Sequence, residues 1–384
     1  MSVTAAAGFR ASGVTAGLKA SGRPDVALVV NDGPDRHAAA VFTTNRVEAA
    51  PVTWSRTVVG DGRVDAVVLN SGGANACTGP EGFADTHRTA EDTAEVLGVS
   101  AGDVVVCSTG LIGERLPMDL LLPGVAAAAA HLDGDEGGAR AAEAIMTTDT
   151  RPKTAVVHAD GWSIGGMAKG AGMLAPALAT MLVVITTDAV TRPEDLDAAL
   201  REACSTTFDR LDSDGCMSTN DTVVLMASGA SGVSVDRADL TAHLRAVCVD
   251  LARQLLSDAE GASHDIEIEV RTAASEADAL EVARAVSRSN LVKCAIFGKD
   301  PNWGRIVAEV GTTRAAFDPA ALDVSINGVA VCRACGVGED RDLVDLDGRE
   351  VHIVIDLHAG EASASVLTND LTHDYVHENS AYST

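Results

Sequence analysis

A single threonine, Thr180, lies where a loop of small residues meets a strongly apolar segment. The loop runs from Lys169 to Ala179, and the apolar segment is Met181-Leu-Val-Val-Ile-Thr-Thr187. A threonine hydroxyl is a weak nucleophile that needs a base beside it, and a threonine at a chain N-terminus carries its own α-amine for that purpose. The alternative is a turn residue whose hydroxyl binds local backbone, and without other context the residues favour that interpretation.

The nucleophile hypothesis requires that the peptide bond between Ala179 and Thr180 be broken. The Thr180 hydroxyl can attack the preceding carbonyl and form an ester by an N-to-O acyl shift, after which water releases the new amine. Strain in a loop that contains Gly and Pro would favour this step. The oxyanion needs hydrogen-bond donors. The segment Cys107-Ser-Thr-Gly110, directly after the apolar run Val104-Val-Val106, could supply a hydroxyl and a backbone N–H.

The elements that must position these residues are a mixture of helices and strands. Thr191-Arg-Pro-Glu194 has the pattern of a capping box and predicts a helix to about Cys204. Helical spacing predicts a second helix from about Arg237 to Leu256, and a third starts at Ser275 and ends before Leu291. Predicted strands are Met181 to Thr187, Thr222 to Ala227, Ile266 to Val270, Leu291 to Phe297 and Val351 to Leu357. The class is therefore α/β or α+β.

The 36 glycines gather in short clusters, and no linker cleanly divides the chain into domains. The clusters include Ser71-Gly-Gly-Ala-Asn75, Ser108-Thr-Gly110 and Gly165-Gly-Met-Ala-Lys-Gly170. Glycine permits positive φ and close backbone approach, so these clusters are suited to turns that present N–H groups to a ligand. Ordinary tight turns are the alternative for any one of them.

Composition and charge exclude several classes of protein. The 384 residues are 46% hydrophobic and 22% charged, as in folded globular chains. With 55 acidic and 29 basic residues the formal net charge is -26, which repels phosphate backbones and anionic lipids. We expect no nucleic-acid or membrane partner. Because neither a signal pattern nor an unbroken apolar span of about 20 residues is present, we expect a cytoplasmic protein.

Patterns for metals and disulfides are weak. The eight cysteines are scattered and are expected to be reduced. Cys332 and Cys335 form a CxxC, but no second pair stands at zinc-finger spacing, so buried packing is the better interpretation. His373 and His377 have HxxxH spacing, yet they lack the Glu of HExxH and lie in a tail without helical periodicity. Asp212-Ser-Asp214-Gly215 resembles the start of a calcium loop, but the later ligands are missing, so we interpret it as a turn.

A set of longer motifs runs in order from residue 8 to the last residue. The motifs are Gly8 to Gly13, Phe42 to Asn45, Asn70 to Gly79, Ser108 to Gly113, Thr147 to Lys153, Lys169 to Leu182, Ser218-Thr-Asn-Asp221, Asp258 to Ala262, Asp300 to Arg305, and Asn379 to Thr384. In this order they closely resemble the ornithine acetyltransferase (glutamate N-acetyltransferase) family of arginine biosynthesis.

The resemblance implies a layered helix/mixed-sheet/helix sandwich of the self-processing Thr-nucleophile type. It implies cleavage between Ala179 and Thr180 into an α chain, 1–179, and a β chain, 180–384, which stay associated, usually as an α2β2 heterotetramer. The implied reaction is ping-pong: the threonine takes acetyl from N2-acetyl-L-ornithine, releases ornithine and passes the acetyl group to L-glutamate. No metal or organic cofactor is implied. The residues leave open whether acetyl-CoA is a second donor, because no basic cluster accompanies the glycine clusters.

Carried over residue by residue, Thr109 and Gly110 would be the oxyanion pair and Thr180 the nucleophile. The implied substrate contacts are Thr147, Lys169, Thr180, Glu260, Asn379 and Thr384. Lys169, in what the glycines suggest is a loop, could pair a substrate carboxylate. Glu260, just after a predicted helix, could pair a substrate ammonium. A solvated loop lysine and a solvated helix-end carboxylate are the alternatives.

The chain departs from the family pattern at two positions, and some features stay open. Ala177 stands where the family often has Asn, and Ala259 where it often has Gly. Trp303 is expected to pack and Arg305 to order its loop, with no further role assigned. Two other functions also remain: a self-processing amidase or aminopeptidase that sends the acyl-enzyme to water, and a non-enzymatic binding protein that keeps the fold and an intact chain.

Overall fold

The computed structural model describes residues 2–173 and 181–381, and within these ranges the chain forms fifteen strands and ten α-helices. The strands are β1 (Phe9–Val14), β2 (Val26–Asn31), β3 (His37–Phe42), β4 (Ala66–Asn70), β5 (Val104–Ser108), β6 (Lys153–His158), β7 (Ser163–Lys169), β8 (Leu182–Thr187), β9 (Thr222–Ala227), β10 (Asp265–Ala273), β11 (Asp323–Ile326), β12 (Val329–Arg333), β13 (Gly336–Val337), β14 (Glu350–Asp356) and β15 (Ala362–Asn369). The helices are α1 (Ala50–Val58), α2 (Gly79–Leu97), α3 (Met118–Ala130), α4 (Gly137–Ala144), α5 (Pro193–Ser205), α6 (Arg237–Ser257), α7 (Glu276–Ser287), α8 (Asn290–Phe297), α9 (Trp303–Val310) and α10 (His373–Ala381). The mixed α/β class expected from the sequence is confirmed.

The described strands form three mixed sheets. The four-stranded sheet has the order β1-β2-β4-β5, the five-stranded sheet β3-β9-β8-β7-β6, and the six-stranded sheet β13-β12-β11-β14-β10-β15. Each contains one parallel pair, namely β4 with β5, β8 with β9, and β10 with β14. Parallel neighbours end at the same edge of a sheet, so the ends of β4 and β5, and the starts of β8 and β9, lie side by side.

The first two sheets form a layered core. Alternate residues of β2 face opposite sides: Leu28 packs with α2 and α3, whereas Val29 packs with α1, α4 and the inner face of the five-stranded sheet. The outer face of the five-stranded sheet is covered by α5 and α6. Strands β2, β8 and β9 are buried at every residue, as expected for strands covered on both faces.

The six-stranded sheet is covered on one face. Ile266, Ile268 and Val270 of β10 pack against α7, α8 and α9, while Glu267 and Glu269 between them are only partly buried. The alternating apolar and acidic residues that predicted this strand therefore lie on the covered and uncovered faces of the sheet, respectively. The strands predicted at β8, β9 and β14 and the helices predicted at α5, α6 and α7 are also confirmed, with small differences at their ends.

The predicted capping box before α5 is wrong. The N-cap is Arg192, which makes no side-chain capping bond. Its guanidinium instead pairs with Glu194 and Asp195. Thr191 lies one residue too early, and within the described part of the chain its buried Oγ1 has no hydrogen-bond partner.

The strand predicted over residues 291–297 is also wrong, because these residues form α8. Ser289 caps the helix by accepting a hydrogen bond from the Val292 amide. The buried residues Val292, Lys293 and Ile296 recur at helical rather than alternating spacing, while Leu291 is exposed. A short apolar run does not distinguish a strand from a helix. Here the Ser289 cap marks the start of a helix.

The C-terminal tail, predicted to lack helical structure, forms α10. Thr372 Oγ1 accepts a hydrogen bond from the Tyr375 amide and donates to the Gly261 carbonyl, so it both caps the helix and anchors it. Gly261 has φ +60°, and a Cβ there would lie 2.1 Å from the Tyr375 nitrogen. The helix therefore depends on close approach to this glycine, a contact that helical periodicity does not reveal.

One glycine cluster, residues 165–170, is not a turn: Gly165 and Gly166 lie inside β7. A Cβ at Gly165 would lie 2.1 Å from the Ser2 carbonyl oxygen, so the glycine admits the N-terminal segment against the strand. The position of Lys169 is corrected in the same way. It is the last residue of β7 rather than a loop residue.

The cysteines, the possible metal ligands and the Trp303 segment can also be compared with the structure. All eight cysteines lie in the described ranges and are unpaired; Cys332 is buried as predicted, but Cys335 is exposed. Among the described residues no group of three His, Cys, Asp or Glu side chains could hold a metal ion, and no helix is long and apolar enough to cross a membrane.

Trp303 is half-buried against the core of the six-stranded sheet, and Arg305 donates to the Leu291 carbonyl at 2.6 Å, joining α9 to α8.

Asn220 joins the first two sheets and supplies a test of this architecture. Its buried side-chain amide donates to the carbonyls of Ala74 at 2.6 Å and Ser108 at 2.9 Å. Replacing Asn220 with Ala leaves both buried carbonyls without a partner, so we expect a loss of about 1–3 kcal/mol in the free energy of unfolding. Urea denaturation measures it. Asn290→Ala, at an exposed position, is the matched control, and equal stability of the two variants would contradict the bridging role.

Candidate active site

The predicted oxyanion residues follow directly after β5. The Thr109 amide donates to the Asn70 carbonyl at the end of β4, and the Thr109 carbonyl accepts from the Gly73 amide, both at 3.0 Å. Gly110 has φ +132°, and a Cβ there would lie 2.8 Å from the Gly73 nitrogen. Two glycine clusters thus form facing turns, as the sequence suggested, and Gly110 could not be replaced by a larger residue without moving this backbone.

Lys169 reaches the same place from the other sheet. It pairs in register with Leu182 at the start of β8, and its side chain is 1% exposed. Its Nζ donates to Thr109 Oγ1 at 3.2 Å, which joins two predicted site residues that are 60 positions apart. Burial lowers the pKa of Lys169, and Asp149 opposes this shift only in part.

Asp149 connects Lys169 to a second predicted residue. Its Oδ1 accepts from the Gly170 amide at 2.7 Å, and its Oδ2 accepts from the Thr147 amide at 2.9 Å. Lys153, fully buried, lies 2.5 Å from Asp149 and 2.5 Å from Asp258. Burial alone would raise the pKa of Asp149, but the ammonium groups of Lys169 and Lys153 outweigh it and hold the pKa at about 2.

Glu260 and Asn379 meet beside this group. The Glu260 amide donates to the Ala171 carbonyl at 3.0 Å, so the residue after α6 is fixed against the chain that follows β7. Asn379, on α10, donates through Nδ2 to Glu260 Oε2 at 3.0 Å. The structure therefore brings together Thr109, Gly110, Thr147, Lys169, Glu260 and Asn379. Ala179, Thr180 and Thr384 lie outside the described residues.

Asp221 belongs to the motif Ser218-Thr-Asn-Asp221, but its role is visible only in the structure. The side chain is fully buried just before β9, and Oδ1 accepts from the Met181 amide at 2.8 Å. Among the described residues Oδ2 has no hydrogen-bond partner. Burial raises the pKa of Asp221 well above its usual range. Asp149 and Lys153, within the motif Thr147 to Lys153, were missed as well. A signal existed for Asp221, which is the one charged residue of its motif.

Two cavities of opposite charge flank residues 147–150. We call the first the basic cavity: its volume is about 530 Å³, and its walls include Lys19, Arg23, Gly110 and Thr147. Asp149 also lines it, but its carboxylate is paired with the buried Lys153. The second, the acidic cavity, is about 670 Å³, and its walls include the carboxylates Asp258, Glu260, Asp374 and Glu378. Thr148 borders both. An amino acid is small enough to enter either cavity.

Comparisons with known proteins show which family this chain is similar to. The profile of the ArgJ family matches residues 10–384. The arginine biosynthesis bifunctional protein ArgJ of Streptomyces coelicolor is 66% identical, and its namesake from Thermobifida fusca 63%, each over 100% of both chains. A crystal structure of ornithine acetyltransferase from Mycobacterium tuberculosis, complexed with ornithine, is 62% identical with a TM-score of 0.45; the match covers 46% of this chain and 94% of that one.

The buried hydroxyl, ammonium and carboxylate groups between two mixed sheets are suited to an acyl-transfer enzyme. The chain belongs to the ArgJ family. The sequence-based assignment to an acetyltransferase family of arginine biosynthesis is confirmed.

The depressed pKa of Asp149 predicts how stability varies with pH. Because the pKa is about 2 in the folded chain and about 3.9 unfolded, the stabilisation is fully present above pH 4 and is lost as pH falls from about 4 to 2. The contribution is about 2 kcal/mol. Urea unfolding at pH 6 and pH 3.5 should therefore show a smaller acid-induced loss in Asp149→Asn than in the wild type. Asp160→Asn, at an exposed position, is the control, and an unchanged pH dependence in Asp149→Asn would contradict the assignment.

Proposed function

We propose that this protein is a glutamate N-acetyltransferase that moves acetyl from N2-acetyl-L-ornithine to L-glutamate through an acetyl ester of Thr180. The observation that carries the proposal is the Lys169–Thr109 hydrogen bond beside Gly110, at the edge where β8 begins. Since the relatives are named bifunctional, the proposal includes acetyl-CoA as a second acetyl donor.

The enzyme first cuts itself between Ala179 and Thr180. The Thr180 Oγ attacks the Ala179 carbonyl, the C–N bond breaks, and the acyl group moves to oxygen while the nitrogen becomes an amine. Water then hydrolyses the ester, leaving the Ala179 carboxylate and a free Thr180 hydroxyl and amine. Thr180 is bonded to Met181, whose amide is held by Asp221. Among the described residues Asp221 Oδ2 has no hydrogen-bond partner, so it is suited to hold the new amine, which makes Asp221 a positioning residue.

Acetyl transfer uses the same hydroxyl twice. The Thr180 amine takes the hydroxyl proton as Oγ attacks the acetyl carbonyl of the donor, and it returns a proton to the leaving ornithine nitrogen. The α-amine of glutamate then attacks the acetyl ester and frees the hydroxyl again. Because Lys169 donates to Thr109 Oγ1, the Thr109 hydroxyl proton is left to stabilise the oxyanion together with the Gly110 N–H.

The remaining charges suit the ends of the amino-acid substrates. We assign Lys169 to the substrate carboxylate, with Thr147 and Asn379 beside it, and Glu260 to a substrate ammonium. Thr384 is also proposed as a substrate contact, because it belongs to the C-terminal motif that resembles the family. We further propose that chains 1–179 and 180–384 remain associated as a cytoplasmic α2β2 assembly, without a metal or organic cofactor.

The self-cleavage is tested by intact mass under denaturing conditions. The wild type should give two chains of 179 and 205 residues, the second beginning at Thr180. Thr180→Ala should give one folded, uncut and inactive chain of 39.3 kDa, because it lacks the attacking oxygen. Thr241→Ala, at a partly buried position of α6, should be cut normally. A wild type that stays intact after prolonged incubation, or a Thr180→Ala chain that is cut, would overturn this mechanism.

The acyl-enzyme is tested by rapid-quench mass spectrometry. Incubation with N2-acetyl-L-ornithine alone should add one acetyl mass to the β chain at Thr180, and later addition of glutamate should remove it as N-acetylglutamate. Release of acetate at the same rate with and without glutamate would instead establish a hydrolase. If the acetyl mass never forms while N-acetylglutamate does, transfer is direct.

A further inference from the structure

We propose that the basic cavity is the subsite for the side-chain carboxylate of the amino-acid acceptor, and that Arg23 is the residue that binds it. The inference rests on the proposed function and adds a residue that discriminates between acceptors. Arg23 lies near the N-terminus, far in sequence from the glycine clusters.

The basic cavity opens at the proposed oxyanion site. Gly110 and Leu111 form one part of its wall, Ser71 and Gly72 another, and Thr147 a third. A molecule in this cavity therefore touches the glycine whose N–H faces the reacting carbonyl in the proposed mechanism. At about 530 Å³ it has room for the side chain of an amino acid whose α-amine points to Thr180.

Arg23 is anchored at this wall with most of its donors free. Its Nη2 donates to the Thr147 carbonyl at 2.9 Å. In the described part of the chain no carboxylate pairs with Arg23, although most other arginines of this acidic protein have an acidic partner. A guanidinium has five N–H donors, and its planar fork matches the two oxygens of a carboxylate. The Thr147 carbonyl thus fixes Nη2 of Arg23, and the other N–H groups of the guanidinium can bind an anion.

Lys19 supports this residue rather than binding the ligand itself. Its Nζ lies within hydrogen-bond distance of the Pro24, Ala144 and Met146 carbonyls, at 2.7, 3.5 and 2.6 Å, so its three donors are occupied. Burial and the nearby Arg23 lower the pKa of Lys19 to about 8, a sign of crowded positive charge. Lys19 therefore holds the segment that carries Arg23 and adds positive potential to the cavity.

The acidic cavity across Thr148 has the opposite character. Burial and the neighbouring Glu260 carboxylate raise the pKa of Glu378, so negative charge is crowded on that side. The two amino acids of the proposed reaction differ in their side chains in the same way, since ornithine ends in an ammonium and glutamate in a carboxylate. Cavities of opposite potential on the two sides of residues 147–150 would separate these side chains.

The phosphates of acetyl-CoA offer a second anion of related chemistry. We assign the cavity to a carboxylate because a single unpaired guanidinium matches a single carboxylate in charge and geometry. Binding of the acetyl-CoA phosphates in this cavity is the alternative, and the experiment below distinguishes it from carboxylate binding.

The test compares glutamate with glutamine, which has the same shape without the charge. Acetyl-enzyme prepared with N2-acetyl-L-ornithine is mixed with each acceptor, for the wild type and for Arg23→Ala. We expect kcat/KM for glutamate to fall about tenfold or more in Arg23→Ala, the usual cost of losing a hydrogen bond to a charged group. The value for glutamine should fall much less, because its neutral amide loses a weaker hydrogen bond than the carboxylate does. Arg23→Lys, which keeps the charge but not the fork, should fall between the two.

Controls separate the outcomes. Arg245→Ala removes an exposed arginine on α6 and changes the net charge equally, so it should leave the glutamate-to-glutamine preference unchanged. An unchanged preference in Arg23→Ala, or an equal fall for both acceptors, would overturn the assignment. If the preference holds while KM for acetyl-CoA rises, the cavity binds phosphate and the carboxylate assignment is wrong. If the wild type forms neither acetyl-enzyme nor N-acetylglutamate, the proposed function itself fails and the subsite falls with it.

Discussion

The buried ion network of Lys153, Asp149, Asp258 and Lys169 is the constraint on which the rest of the site depends. Charges taken out of water are strongly destabilising unless they are paired and hydrogen-bonded. Each group therefore fixes its neighbours: Asp149 holds the Thr147 and Gly170 amides, and Lys153 ties β6 to the end of α6. Four separate parts of the chain are held in one geometry, because moving any of them would leave a buried charge without a partner.

Sheet topology brings polar residues of two different sheets together at the site. Thr109 follows β5 in one sheet, and Lys169 ends β7 in another, yet their side chains are hydrogen-bonded. Asn220 bridges the same two sheets, and Asp221 beside it holds the Met181 amide. These contacts cluster where inner strands begin or end, which is where a layered α/β protein can present polar groups without breaking its apolar core.

Charge is distributed unevenly around this centre. A chain with a formal net charge of -26 repels anionic ligands at long range, so an anion must be bound by local positive groups. Lys19 and Arg23 supply them on one side of residues 147–150, and Glu260 is among the carboxylates on the other. Local pairing, rather than overall charge, therefore governs which substrate groups fit.

The sequence by itself determined the α/β class, helices α5 to α7 and strands β8, β9, β10 and β14, since period and strong local patterns identify such elements. Its motifs also identified the family and named residues such as Thr109 and Glu260. Tertiary structure decided the rest. The short apolar run at 291–297 became a helix with a Ser289 cap. The glycine cluster at 165–170 became part of β7 through pairing with β6 and β8. Asp221 and Arg23 acquired their places through contacts with distant segments. Burial and pairing across long sequence separations are set by packing, and no local pattern encodes them.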